Sequence, residues 1–119
     1  MSEDKWLRYG IDRDKGLRNC MGKPDFYKKI LKMFLQDPCF AKAKDAYARG
    51  NQKELFSLIH ELKGTSGNAA LTDLYGAAVP LVELLRHDNA DPAEVDRLFV
   101  AVDAAYARAS EGIAAMVAE

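Results

Sequence analysis

The sequence predicts an all-α fold: an up-down antiparallel four-helix bundle with a short additional N-terminal helix. Three observations carry that expectation. Apolar residues recur at helical spacing, and strand-like alternation is sustained nowhere. Ala, Leu, Lys, Glu and Asp dominate the periodic segments. The connections between those segments are short, which sets successive helices antiparallel. The 119 residues predict one domain, 1–119, and 49% hydrophobic residues supply enough apolar surface for its own core.

In chain order, Trp6 and Tyr9 are expected to cover one end of the bundle, and "GIDRDKGLRNC" reads as a helix of a turn or two. Pro24 suits a first helical position. The helix it opens, "PDFYKKILKMFLQ", offers Phe26, Ile30 and Met33 or Phe34 as its apolar stripe, with Met33, Phe34 and Leu35 assigned to the core, or the C-terminal end of the helix bordering a docking surface. In "DPCFAKAKDAYARGN", Asp37 can cap and Pro38 can begin a new helix, or Pro38 can merely kink one long helix. Gly50 and Asn51 end that run. The next helix spans about Gln52 to Asn68. Thr72 is the expected cap of "LTDLYGAAVPLVELLRHDN", and Pro80, two turns inside, predicts a kink or a widened turn. Asp91-Pro92-Ala93-Glu94 is a clear helix start: cap, proline, acid in the first turn. Gly112 is expected to fray the tail of that last helix.

Composition removes several function classes. Net charge is −1, from 17 basic and 18 acidic side chains, so no global field attracts nucleic acid or anionic lipid. No apolar run reaches membrane-spanning length, and "MSEDKWLRYGIDRDKG" lacks the apolar segment of a secretory signal. Cys20 and Cys39 form no CxxC pair. Two lone thiols without a signal predict a cytoplasmic protein. Histidine chemistry has two candidates, His60 and His87.

The helix in "KELFSLIHELKGTSGNAAL" places its histidine on the wet side. With His60 at zero and 100° per residue, Leu55, Leu58, Leu62, Ser66 and Ala69 fall roughly 160° to 240° away, and Ile59 near 260°. Lys53, Ser57, Gly64 and Gly67 lie within about 60° of the histidine, as do Phe56 and Lys63 on the other flank. Glycine costs a helix interior about 1 kcal/mol relative to alanine, so two on one exposed ridge call for compensation. They open a flat lane for another protein's backbone, or Gly67 instead marks an early helix end. Lys63 adds an ammonium beside the imidazole, and Phe56 an apolar docking spot. Neutral imidazole is nucleophilic near pH 7 and can take up a phosphoryl group. Ser57 and Ser66 are read as structural, Glu61 as a surface charge, and His87, with Arg86 beside it, as a cation favoured at a helix C-terminus.

"HELKGTSGNAAL" resembles the histidine-containing phosphotransfer (HPt) domain, whose signature is H-x-L-K-G followed by small residues. His60, Leu62, Lys63 and Gly64 match it position by position. "YGIDRDKGLRNCMGKPDFYKKILKMFLQD" is similar to the family's opening, with "ID" before a short helix and "F-L-x-D" closing a long one. "ARGNQKELFSLIHELKG" is similar to its run into the active-site helix. The sequence departs from the pattern at Ala70, where the family commonly has glycine, and at Pro80. Both departures bear on local geometry more than on chemistry.

The resemblance implies a phosphorelay intermediate. A response-regulator receiver domain presents its aspartyl phosphate to His60, at Nε2 by family analogy. His60 carries the group to an aspartate on another receiver, and a hybrid histidine kinase stands upstream. Lys63 stabilises phosphoryl charge, while Gly64, Gly67 and Phe56 serve access and docking. The domain holds no cofactor or metal of its own, and Mg²⁺ comes from the receiver. It is a phosphocarrier and not an enzyme, and a monomer. The opening Met1 and compact length favour a free-standing carrier. An HPt region excised from a larger hybrid sensor kinase is one alternative, and a helical adaptor with an idle histidine another. A zinc site of the H-E-x-x-H kind is disfavoured, because Gly64 stands where the second histidine belongs.

Overall fold

A computed structural model describes residues 5–119; Met1, invoked above for a free-standing chain, lies outside the described residues. A 3-10 turn at Leu7–Tyr9 leads into six helices among the described residues: α1 (Arg13–Asn19), α2 (Pro24–Gln36), α3 (Cys39–Ala48), α4 (Gln52–Asn68), α5 (Thr72–Leu85) and α6 (Pro92–Val117). The order and approximate limits follow the sequence signals. Asp12 caps α1 by accepting from the Lys15 amide at 3.1 Å, and Asn51 caps α4 by accepting from the Glu54 amide at 3.0 Å. Asp91 accepts from the Ala93 amide at 3.1 Å, with Pro92 as the first residue of α6.

α2 and α3 are separate helices. Asp37 adopts an extended backbone between them, and its carboxylate accepts from the Cys39 amide at 2.9 Å. Pro38 precedes the first residue of α3 and does not occupy it. Together α2 and α3 line the 26-residue α6 and form one bent arm of the bundle, with α4, α5 and α6 as the other three. Aromatic rings fill the seam. Phe40 stacks on Tyr106 and Tyr47 on Phe99, each with centroids 4.1 Å apart, and Phe34 lies 5.7 Å from Tyr106. Beneath them Leu31, Leu55, Ile59, Leu62, Leu74 and Leu81 make the closed core. Among the described residues no helix is long and apolar enough to cross a membrane.

Three local expectations are corrected, on the α2 stripe, Thr72 and Gly112. The buried stripe of α2 is Tyr27, Leu31 and Phe34. Ile30 is half-buried, while Phe26, Met33 and Leu35 remain 42%, 56% and 37% exposed. The stripe is turned by about one residue because Tyr27 is drawn inward: its hydroxyl donates to the Ala69 carbonyl at 2.7 Å, and its ring occupies the space over Gly16. Thr72 is the first residue of α5 and not its cap; its hydroxyl donates to the Gly10 carbonyl at 3.1 Å, tying α5 to the N-terminal turn. α5 runs unbroken through Pro80. Pro80 and Gly76, the residue four back whose carbonyl it leaves without an amide, are both exposed, so water can serve that carbonyl. Gly112 does not fray α6. It is buried, and a Cβ there would stand 2.5 Å from Tyr9 Cβ and 2.9 Å from Ile11 Cδ1, so the glycine admits the N-terminal turn.

The α4–α5 turn explains the departure at Ala70. The Leu71 amide donates to the Ser66 carbonyl at 2.9 Å and the Ala70 amide to the Gly67 carbonyl at 3.2 Å, a Schellman ending. Ala70 sits at its left-handed position with φ 59°, where glycine is the usual occupant. Its carbonyl accepts from the Asp12 amide at 2.9 Å, and the neighbouring Tyr27–Ala69 bond further fixes the turn.

Candidate functional site

α4 buries Leu55, Ile59, Leu62 and Ser66 against the rest of the bundle, with Leu58 half-buried. That stripe points His60 outward by helical geometry, and its side chain is exposed. Ser66 faces inward and donates to the Lys63 carbonyl at 3.1 Å, so its hydroxyl is spent on the backbone of its own helix. Ser57, Glu61 and Gly64 are exposed with the histidine.

The two ridge glycines differ. At Gly64, one turn beyond His60, an added Cβ would meet no heavy atom within 4 Å. The space beside the imidazole is open on that side, and no neighbouring helix uses the glycine for close packing. Gly67 is half-buried, and a Cβ there would lie 3.3 Å from the Tyr75 ring of α5. The expectation of an open lane continuing to Gly67 is therefore corrected: that glycine makes room for Tyr75, not for a visitor. Nor does it end the helix, which continues to Asn68.

On the other flank, Lys63 is partly exposed and makes no ion pair within 4.0 Å among the described residues. Across from it on α5, the Glu83 carboxyl is held below the usual carboxylate range. The main cause is its hydrogen bond from Arg86, and the charges of Arg86, Lys63 and His87 add to it. Phe56 is half-buried against the core, its ring centroid 5.9 Å from that of His60. The Arg86 guanidinium carbon lies 5.6 Å from the centroid of the same phenyl ring. Arg86 and His87 directly follow α5, as read from the sequence, but the link from Arg86 through Phe56 to His60 crosses between helices. No spacing within one helix could have exposed it.

A second feature missing from the sequence reading lies on the α2 side. Ile30, Met33, Phe34, Pro38, Thr65 and Asn68 line a mainly apolar groove of about 470 Å³. Helical spacing in α2 alone turns Ile30 and Met33 inward, which hides this groove from the sequence. Near its α3 end, Cys39 is buried and donates to the Leu58 carbonyl at 3.2 Å. Burial, with the Glu61 carboxylate second, pushes its thiol up to about 12, so it stays protonated and is no rival nucleophile at neutral pH.

A family model described as Hpt domain matches residues 29–112, most of the chain, from α2 into the last turns of α6. His60, Lys63 and Gly64 fall inside that span. No curated protein and no solved structure gave a match.

Proposed function

The chain belongs to the Hpt domain family, and from that premise we propose that His60 is the phosphoryl-carrying residue of a two-component phosphorelay. The observation that carries the reading is the exposed imidazole on α4 with vacant space over Gly64, one turn away. On the Gly64 side no heavy atom stands within 4 Å of where a side chain would begin, which leaves a phosphorylated partner room to approach the imidazole.

In the proposed reaction the donor is a receiver-domain aspartyl phosphate. The neutral Nε2 of His60 attacks phosphorus while the bond from phosphorus to the aspartyl oxygen breaks and the carboxylate leaves. The proton on the other ring nitrogen passes to solvent, which the exposed side chain meets directly. The second transfer runs the same steps in reverse, toward a different receiver. Little covalent work falls to this chain; phosphoryl transfer depends mostly on positioning and charge compensation. Lys63 lies three residues from His60 with no competing ion pair among the described residues, and it is assigned that charge role. Gly64 gives access, and Phe56 forms an apolar edge. The groove beside Ile30 and Met33 extends the docking surface toward α2. Mg²⁺ and further positive charge come from the receiver, and a hybrid histidine kinase is the source of the phosphate. Hpt domains are phosphocarriers, and this one is read as a monomer.

The test is incubation with phosphorylated receivers. The expected product is an acid-labile, base-stable phosphate on the chain, absent from His60→Gln. Label persisting in that variant refutes the assignment.

A further inference from the structure

The α5 end of the site holds charges for which the transfer reaction as described finds no use. The Arg86 guanidinium carbon lies 5.6 Å from the centroid of the Phe56 ring, and the His60 ring lies 5.9 Å from that centroid. One aromatic ring therefore borders both the imidazole and a guanidinium. Arg86 is also paired through Nε with Glu83 at 3.0 Å, a one-turn pair whose side chains are about half exposed. Exposed pairs of this kind add little to stability, and their partners separate at small cost. A dianionic phosphoryl group on His60 would be a stronger attractor for the guanidinium than a single carboxylate. Arginine suits such a group because its planar fork gives two parallel bonds to phosphoryl oxygens.

We infer that Arg86 is a second cationic partner for a phosphoryl group on His60, kept near it by Phe56 and held in waiting by Glu83. The inference rests on the carrier reading above and extends it to a residue outside α4. On phosphorylation Arg86 leaves Glu83, slides along the phenyl ring and faces the phosphoryl oxygens. Lys63 serves them from α4. The other charged groups around the site are Lys53 and the exposed Glu61 on α4, Glu83 on α5, and His87 and Asp88 just beyond α5. Glu83 is the carboxylate that Arg86 must leave.

The test titrates the phosphoryl group itself. The chain is loaded with phosphoramidate. The His60 nitrogen attacks phosphorus, the phosphorus–nitrogen bond of the reagent breaks, and ammonia leaves with the ring proton. The ³¹P resonance absent from His60→Gln identifies the product, and its shift is followed against pH. A nearby cation favours the dianion, so removing it raises the phosphoryl pKa. For a unit charge several ångström away in a water-like medium the change is roughly half a pH unit. Arg86→Gln should raise the midpoint by about that much, Arg86→Lys should restore part of it, and Glu83→Gln should lower it. Arg97→Gln is the control. It removes an equivalent exposed one-turn pair, with Glu94, on α6 and should leave the midpoint in place.

An unmoved midpoint in Arg86→Gln, with phosphate present on His60, overturns the role of Arg86 and leaves the carrier reading intact. A shift as large in Arg97→Gln overturns it too, because the effect is then general. A His60 that takes phosphate from neither phosphoramidate nor receivers removes both readings together.

Discussion

Replacing Gly64 should make the domain more stable and a worse carrier. Gly64 lies inside the 17-residue α4, and an added Cβ there meets no heavy atom within 4 Å. With no clash to oppose it, alanine should return the helix propensity that glycine forfeits, about 0.8–1 kcal/mol. For a chain of this size that is a rise in Tm of about 3–6 °C. Leucine should recover most of the same gain. The open space that makes the substitution harmless to the fold is the space a receiver must use. Reacting atoms must come within about 3–3.5 Å, and a misplacement of about 1 Å can cost on the order of 100-fold in rate. Gly64→Ala should therefore slow transfer from a phosphorylated receiver by about tenfold, and Gly64→Leu by on the order of 100-fold or more. Thermal melting by circular dichroism and rapid-quench phosphotransfer measure the two effects on the same samples. Wild-type transfer rates in Gly64→Leu would refute the steric argument. A lower Tm in Gly64→Ala would refute the claim that the position is unoccupied.

Tyr27→Phe removes the buried hydroxyl that satisfies the Ala69 carbonyl. It should cost about 1–3 kcal/mol in urea unfolding while leaving transfer at His60 close to normal. Gly112→Ala drives a methyl into Tyr9 and Ile11; a loss of about 1–3 kcal/mol is expected, and a neutral result would show that the N-terminal turn is not seated on α6 as described. The Glu83 carboxyl lies below its ordinary value because Arg86 bonds to it. The pair's small contribution to stability is thus present above the unfolded carboxylate pKa and lost as pH falls through the lowered folded one. Carboxyl NMR titration should show the Glu83 midpoint moving up in Arg86→Gln, and no movement would contradict the pairing.

Much of the fold was legible because its signals are local. Asp91 caps α6 where the sequence places a cap, and the wet side of α4 follows from helical periodicity alone. His60 and Gly64 could be placed on that side by arithmetic. What was not legible depends on contacts between elements. Nothing within α2 reveals that Tyr27 must turn inward to reach Ala69, and without that contact helical spacing places the stripe one residue off and hides the apolar groove beside Ile30 and Met33. Gly67 looks equivalent to Gly64 on a helical wheel, yet Tyr75 from α5 covers only Gly67. Gly112 looks like a helix-breaking residue until the N-terminal turn is seen lying against it. Arg86 reads as a cation suited to a helix end, and only the packing of α5 on α4 brings it to Phe56.

The most direct measurement maps the phosphate by tandem mass spectrometry, kept at alkaline pH, after the intact chain meets a receiver phosphorylated on aspartate. One phosphoryl group should be found, on His60, and it should disappear when an unphosphorylated second receiver is added. Phosphate located on His87 or another side chain, or a His60 phosphate that no receiver can remove, would contradict the account.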